Sequence, residues 1–315
     1  MKKKISATTV YLFLMILLLC GCGGTESVQI TTSLKSVPVP VPNLAAANSI
    51  LSAIDTSASG TAEERTADAI VDYSNVSDGY VMVQYIGNSE SRIKAQVKGP
   101  SETYSYDITK DVWATFPLSE GNGEYSVKVF ENVGGTKYAQ LMSASFTAEI
   151  SDEFAPFLRP NQYVNYADAP NAVAIACGLT EDIDGTLDKV AAVYEYVVHT
   201  LSYDKELAET VKTGYLPELD AVLEKGSGIC FDYASLMTAM LRSQGIPCKL
   251  VVGYAGSAYH AWISVWVDGE GWIDKVVYFD GKTWQRMDPT FASTGGKTAQ
   301  EFIGDGSNYM EKYFY

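Results

Sequence analysis

The chain has 315 residues, 47% of them hydrophobic and 19% charged, which is ample apolar material for a packed core and a length typical of about two domains. Lys and Arg total 23 against 38 Asp and Glu, a formal charge of −15. Such a chain repels phosphate backbones and argues against a nucleic-acid partner.

The chain opens on Lys2, Lys3 and Lys4, followed by the apolar run "VYLFLMILLL" over 10–19. This run is too short to span a bilayer comfortably and small residues follow it, so residues 1–21 read as a secretory signal. The stretch "LCGC" at 19–22 resembles the bacterial lipoprotein signal, with Leu19 three positions before Cys22. That resemblance implies cleavage before Cys22 and lipidation of its thiol, with Cys20 as the alternative. The acyl chains would then anchor the protein in the cell membrane at its extracytoplasmic face. Loss of residues 1–21, which hold three lysines and no acid, leaves a charge of −18. Beyond Cys22 three thiols remain, Cys177, Cys230 and Cys248. An odd count outside the cytoplasm points to one free thiol. A Cys177–Cys248 disulfide and a pair of buried thiols are equally compatible with the sequence.

Residues 22–70 are rich in Gly, Ser, Thr, Ala and Pro. With the extended "SVPVPVPN" at 36–43, they read as a flexible tether, carrying only a weak helical pattern after residue 44. Residues 71–150 read as all-β. In "SRIKAQVKG", 91–99, Ile93, Ala95 and Val97 alternate with Arg92, Lys94, Gln96 and Lys98. "YVMVQYIG", "TYSYDI" and "EYSVKVFENV" are further strand candidates, separated by Gly99-Pro100, Gly121-Asn122-Gly123 and Gly134-Gly135. Short strands at this spacing predict an Ig-like antiparallel sandwich, with a structural or adhesive role as its default.

Residues 151–315 change character. A short helix is predicted over 171–179. Another is predicted over 186–203, with Leu187, Val190, Ala191, Tyr194, Val198 and Leu201 on its apolar face, Thr186 as N-cap and His199 near its end. His199 there suits a helix terminus better than catalysis. A third helix starts at Cys230 and ends at Gln244-Gly245, Pro247 barring its continuation. Strands follow at 248–254, at 259–269 and around the Asp280-Gly281 turn. Helices followed by an antiparallel meander make this half α+β.

The chemistry concentrates in "KGSGICFDYASLM", 225–237. Gly226 and Gly228 permit a sharp turn, and Cys230 then opens a helix, whose exposed N–H groups and dipole favour a thiolate. Of the two histidines, His260 begins a strand, and Asp288 ends a neighbouring one. A carboxylate bonded to one imidazole nitrogen would leave the other to serve the thiol. Asp232 fits the first-turn dipole as a structural residue. Too few ligands gather here for a closed zinc site, and neither metal nor cofactor is expected.

"GSGICFDYASLMTAMLRSQGIPCKLVVGY", then "HAW", then "MDPT", resembles the transglutaminase-like family of papain-like cysteine enzymes. The resemblance covers roughly 180–292. It implies a papain-like core of helices packed on an antiparallel sheet, Cys230 as nucleophile, His260 as general base and acid, and Asp288 as the residue orienting His260. The triad alone does not separate hydrolysis from acyl transfer; hydrolysis of a peptide or protein amide is expected, because no feature of the sequence marks an amine site. A cross-linking enzyme and a non-catalytic envelope module with a vestigial triad are the alternatives. One oxyanion donor would be the Cys230 N–H. Tyr203 and Trp262 are candidates for the cleft or the second donor, although a tryptophan-rich meander such as Trp262, Trp266, Trp272 and Trp284 is more often core.

Overall fold

The computed structural model describes residues 40–273, 277–279, 284–286 and 309–315. Cys22 and Asp288, singled out above, lie outside the described residues.

Order begins before the sandwich. Helix α1, Leu44–Ser52, is capped by Asn43, whose side chain accepts from the Ala46 N–H at 3.0 Å. Asn43 also donates its backbone N–H to the Ala174 carbonyl at 2.9 Å, and Ala47 is completely buried. The expectation of a flexible tether through residue 70 is therefore corrected. Once one face of the weakly patterned segment finds an apolar surface, burial supplies what helix propensity lacks.

Eight strands follow: β1 Glu63–Arg65, β2 Ala69–Asp72, β3 Tyr80–Tyr85, β4 Ile93–Lys98, β5 Thr103–Ile108, β6 Ala114–Pro117, β7 Gly123–Gly134 and β8 Lys137–Ala148. They form two antiparallel sheets, ordered β1-β2-β3-β6 and β5-β4-β7-β8. The alternation read in β4 holds: Ile93, Ala95 and Val97 are buried while the residues between them are not. Inward side chains of the two sheets share one core, where Tyr106 of β5 stacks on Phe116 of β6 at 4.0 Å between centroids. The sandwich begins at β1, earlier than residue 71. Asp72, nearly fully buried, closes that edge by accepting from the N–H groups of Gly60 and Ser74.

The second half is built of α2 Pro170–Thr180, α3 Thr186–Thr200, β9 Ser202–Tyr203, α4 Lys205–Thr210, α5 Leu219–Lys225, β10 Ser227–Gly228 and α6 Cys230–Ser243. After α6 come β11 Cys248–Ala255, β12 Ala258–Val267, β13 Gly271–Ile273, β14 Val277–Phe279, β15 Trp284–Arg286 and β16 Tyr309–Phe314. Thr186 proves to be the first helical residue of α3, with Gly185 in the cap position. The deeply buried face of α3 is Val190, Val193, Tyr194 and Val197. It is rotated from the expected stripe because two neighbouring helices, α2 and α6, both pack on it. Helix α6 is buried from Asp232 to Ser243, more completely than a single apolar stripe implies. It lies against α2 and α3 on one side and against the sheet β13-β12-β11-β16 on the other. Leu250, Ala261, Ile263 and Val265 join the α6 core, whereas Val251, Ala255, Trp262 and Tyr309 form a separate cluster, as strand alternation requires.

Strand β16, absent from the sequence reading, pairs antiparallel with β11. Arg242, 2% exposed, ties this edge together by donating to three backbone carbonyls. These belong to Cys248 at 2.8 Å, Arg159 at 2.7 Å and Tyr315 at 2.6 Å. Cys177 and Cys248 are both buried and both free thiols, and burial pushes the Cys248 thiol up to about 12.

Candidate active site

The turn before α6 is shaped by two glycines with separate tasks. Gly226 ends α5 in the left-handed region at φ 65°. Gly228 has no room for a side chain: a Cβ there would lie 2.6 Å from the Cβ of Asp232. Between them β10 pairs in parallel with β9, Gly228 opposite Tyr203. The Asp204 N–H donates to the Gly228 carbonyl at 2.9 Å. This short ladder fixes both Tyr203 and the approach to Cys230.

Cys230 is the first helical residue of α6 and is half-buried. Asp232, completely buried, reaches back one turn to accept from the Ile229 N–H at 2.8 Å and also accepts from the Tyr215 hydroxyl at 2.7 Å. Burial raises its carboxyl above the ordinary range, and these two hydrogen bonds oppose that rise. Asp232 thus caps its own helix, a half capping box. The first-turn N–H groups of α6 have no partner within the helix, and Cys230 stands at that end.

Cys230 opens onto a cleft of about 540 Å³. His260, 8% exposed, lines the same cleft at the start of β12, paired in register with Gly253. Strand alternation puts the His260 ring on the Trp262 side of β12, the two ring centroids 6.4 Å apart. Tyr203 lines the cleft. Trp262 does not: it is completely buried, edge-on to Tyr309 at 5.1 Å, and belongs to the core behind the sheet. Its proposed part in the cleft is withdrawn, because it is fully enclosed in a cluster with Val251, Ala255 and Tyr309. Trp266 and Trp272 pack with Phe154 in a separate aromatic group, and the side chain of Trp284 lies outside the described residues. His199, exposed on α3, bonds the Glu195 carbonyl at 2.7 Å and lines no part of the cleft.

Other lining residues gave no sequence pattern of their own. Tyr163, Tyr215, Phe231, Tyr259 and Tyr315 supply aromatic walls. One wall comes from the sandwich, through Lys94 of β4 and Ser105, Tyr106 and Asp107 of β5. The loop 211–215 bridges the two halves. Its Gly214, at φ 93°, sits against the paired side chains of Arg92 and Asp107, leaving no space for a Cβ. Tyr abundance was the available clue; which tyrosines converge is set by chain segments far apart in sequence. Among the described residues no group of three or more His, Cys, Asp or Glu is placed to hold a metal.

A half-buried thiol at a helix N-terminus, opening onto a cleft that His260 also lines, suits nucleophilic acyl chemistry. Residues 173–275 match the sequence model of the transglutaminase-like superfamily. The chain carries a transglutaminase-like domain. Cys230 and His260 both fall within it, and the sandwich lies before it. The uncharacterised protein YebA of Bacillus subtilis strain 168 is 24% identical over 204 residues, 58% of this chain and 27% of that protein. A protein-glutamine gamma-glutamyltransferase of Pseudomonas aeruginosa strain PAO1 is 32% identical over 68 residues, 17% of this chain and 10% of that protein. The chain therefore spans about a quarter and a tenth of the lengths of these relatives. Among solved structures, a candidate cysteine protease from Cytophaga hutchinsonii aligns at TM-score 0.35 and 17% identity, covering 67% of this chain and 71% of that one. A structure described as a TGase aligns at TM-score 0.29 and 25% identity, covering 40% and 31%.

Proposed function

We propose that this transglutaminase-like domain cleaves a peptide or protein amide at the outer face of a membrane, to which a lipidated Cys22 anchors it. The observation that carries the reading is the placement of Cys230. It alone of the three described cysteines is not buried, it opens a helix, and it shares its cleft with His260.

In the proposed reaction the Cys230 thiolate attacks the amide carbonyl carbon, and the Cys230 N–H, among others, holds the developing oxyanion. The C–N bond breaks and the amine leaves with a proton from the His260 imidazolium, so that a thioester remains on Cys230. Water then attacks the thioester and gives a proton to His260. The C–S bond breaks, releasing a carboxylic acid and regenerating the thiol. Asp288 is assigned the orientation of His260. The Tyr-lined walls suit a peptide, offering flat apolar faces with hydroxyl rims. A second reading, in which a primary amine replaces water, is favoured by the likeness to the gamma-glutamyltransferase.

The test is to incubate the chain with a peptide library and map covalent adducts by mass spectrometry. An acyl adduct on Cys230, absent in Cys230→Ala and strongly reduced in His260→Ala, is expected. No adduct on Cys230 from any peptide would instead support a non-catalytic envelope module. Release of a free carboxylate in the presence of a labelled primary amine supports hydrolysis; incorporation of the label supports acyl transfer.

A further inference from the structure

Strand β5 lies at the edge of its sheet, and among the described residues it pairs with β4 alone, in a regular antiparallel ladder. The ladder starts from a turn in which the Gly99 N–H donates to the Glu102 carbonyl at 2.9 Å. Bonded and non-bonded pairs alternate from there, so Tyr104, Tyr106 and Ile108 exchange hydrogen bonds with β4. Thr103, Ser105 and Asp107 turn their backbone N–H and C=O groups the other way, off the edge of the sheet. The Asp107 carbonyl fixes this phase independently, since it accepts from Gln162 Nε2 at 2.6 Å, outside the ladder. Ser105 is exposed, and among the described residues no hydrogen bond reaches its backbone N–H or C=O.

This edge borders the cleft of Cys230. Ser105, Tyr106 and Asp107 all line it. Successive strand side chains point to opposite faces, and that of Tyr106 is buried in the shared core. What three successive residues present together on one side is the backbone edge of their strand. The nucleophile is near. The rings of Tyr106 and Tyr163 are 5.6 Å apart between centroids and those of Tyr163 and Phe231 5.3 Å, and Phe231 adjoins Cys230. Three or four extended residues, at roughly 3.4 Å each, cover a gap of that size. An open edge is a template for one more strand. Main-chain hydrogen bonds then hold the added chain, and its alternate side chains meet the walls, here the rings of Tyr163 and Tyr259.

We propose that the substrate of Cys230 is an extended peptide segment that binds as an added strand on β5, paired with the N–H and C=O of Ser105. The inference rests on the amide-cleaving reading above and adds how the substrate is recognised: by its backbone, so that a helical segment is refused. The test uses the full chain and acetyl-Thr-Val-Thr-Ala chloromethyl ketone, whose β-branched residues favour an extended chain. Acetyl-Ala chloromethyl ketone is the short reference and iodoacetamide the reagent without a backbone. Modification of Cys230 is followed by peptide mapping. The long reagent is expected to react about tenfold faster than the short one at equal low concentration. Replacing its amides one at a time by esters removes an N–H without adding bulk. This should slow it about two- to tenfold, at alternate positions only. Ser105→Pro removes the outward N–H and leaves the ladder bonds in place. It should bring a loss of the same size toward the long reagent and none toward iodoacetamide, while Ser105→Thr should match the parent. The ester series uses the unaltered protein, so it decides even where Ser105→Pro does not fold. Equal rates for the long and short reagents, with iodoacetamide still reacting, overturn the strand proposal and leave the amide reading standing. An ester effect at no position, or at every position alike, does the same, as does undiminished reaction of a folded Ser105→Pro. A Cys230 inert to iodoacetamide overturns both.

Discussion

At the residue scale the candidate site depends on a few side chains with little freedom. Asp232 is buried and serves two donors, so Asp232→Ala leaves the Ile229 N–H and the Tyr215 hydroxyl unpaired. A loss of about 1–3 kcal/mol in unfolding free energy is expected by denaturant titration. Asp232 also imposes a pH dependence. Because burial raises its carboxyl, the folded state holds that proton more tightly than the unfolded chain. Its contribution to stability is complete below the ordinary carboxylate range and declines as pH rises through the raised value. Asp232→Asn should flatten that part of a profile of thermal midpoint against pH; an unchanged slope would assign it to another group. Thiol reactivity should be equally local. Iodoacetamide should modify Cys230 in the folded chain and reach Cys177 and Cys248 only on unfolding, as read by peptide mapping.

At the element scale, two joints hold the transglutaminase-like domain together. One is Arg242 at the end of α6, which gathers the connector at Arg159, β11 at Cys248 and the chain after β16 at Tyr315. Burial pulls its guanidinium down to about 10, still charged at neutral pH. Arg242→Met should cost at least about 2–3 kcal/mol, since three carbonyls, two of them in buried bonds, lose a donor at once. The other joint is Gly178 of α2, against which the Val41 carbonyl packs so closely that no Cβ fits. Gly178→Val should unseat the 40–54 segment, seen as new proteolytic cuts around α1 with the rest of the chain resistant. Neither joint was visible in the sequence. An arginine near a helix end reads as a solvated dipole partner, and a glycine inside a short helix reads as a weak point.

At the scale of the whole molecule, the sandwich and the transglutaminase-like domain share one core, in which Tyr315 meets Tyr104 and Tyr106 edge-on. A fragment starting at residue 151 should therefore express as an unstable or aggregated protein, because the sandwich covers these rings and supplies a cleft wall. The default structural or adhesive role of the sandwich is thus too narrow: it also helps build the cleft. The shared core has an alkaline signature. Burial raises Tyr104, Tyr106, Tyr125, Tyr163 and Tyr315 above the ordinary tyrosine value of 10.0. The folded state keeps protons that the unfolded chain releases, so this stability is full below that value and falls as pH climbs above it. Ultraviolet titration should show these rings ionising late and together with unfolding; independent titration near the ordinary value would mean the core is wet.

The strands of the sandwich, the helix opening at Cys230, the meander after it and the family they resemble were legible in the residues, because period, turn chemistry and motif order are properties of neighbours along the chain. The docking of α1, the pairing of β16 with β11, the burial of Trp262 behind the sheet and the sandwich wall of the cleft were decided only by tertiary structure. Each joins segments far apart in sequence, and an aromatic residue in a strand looks the same on paper whichever face the fold turns inward.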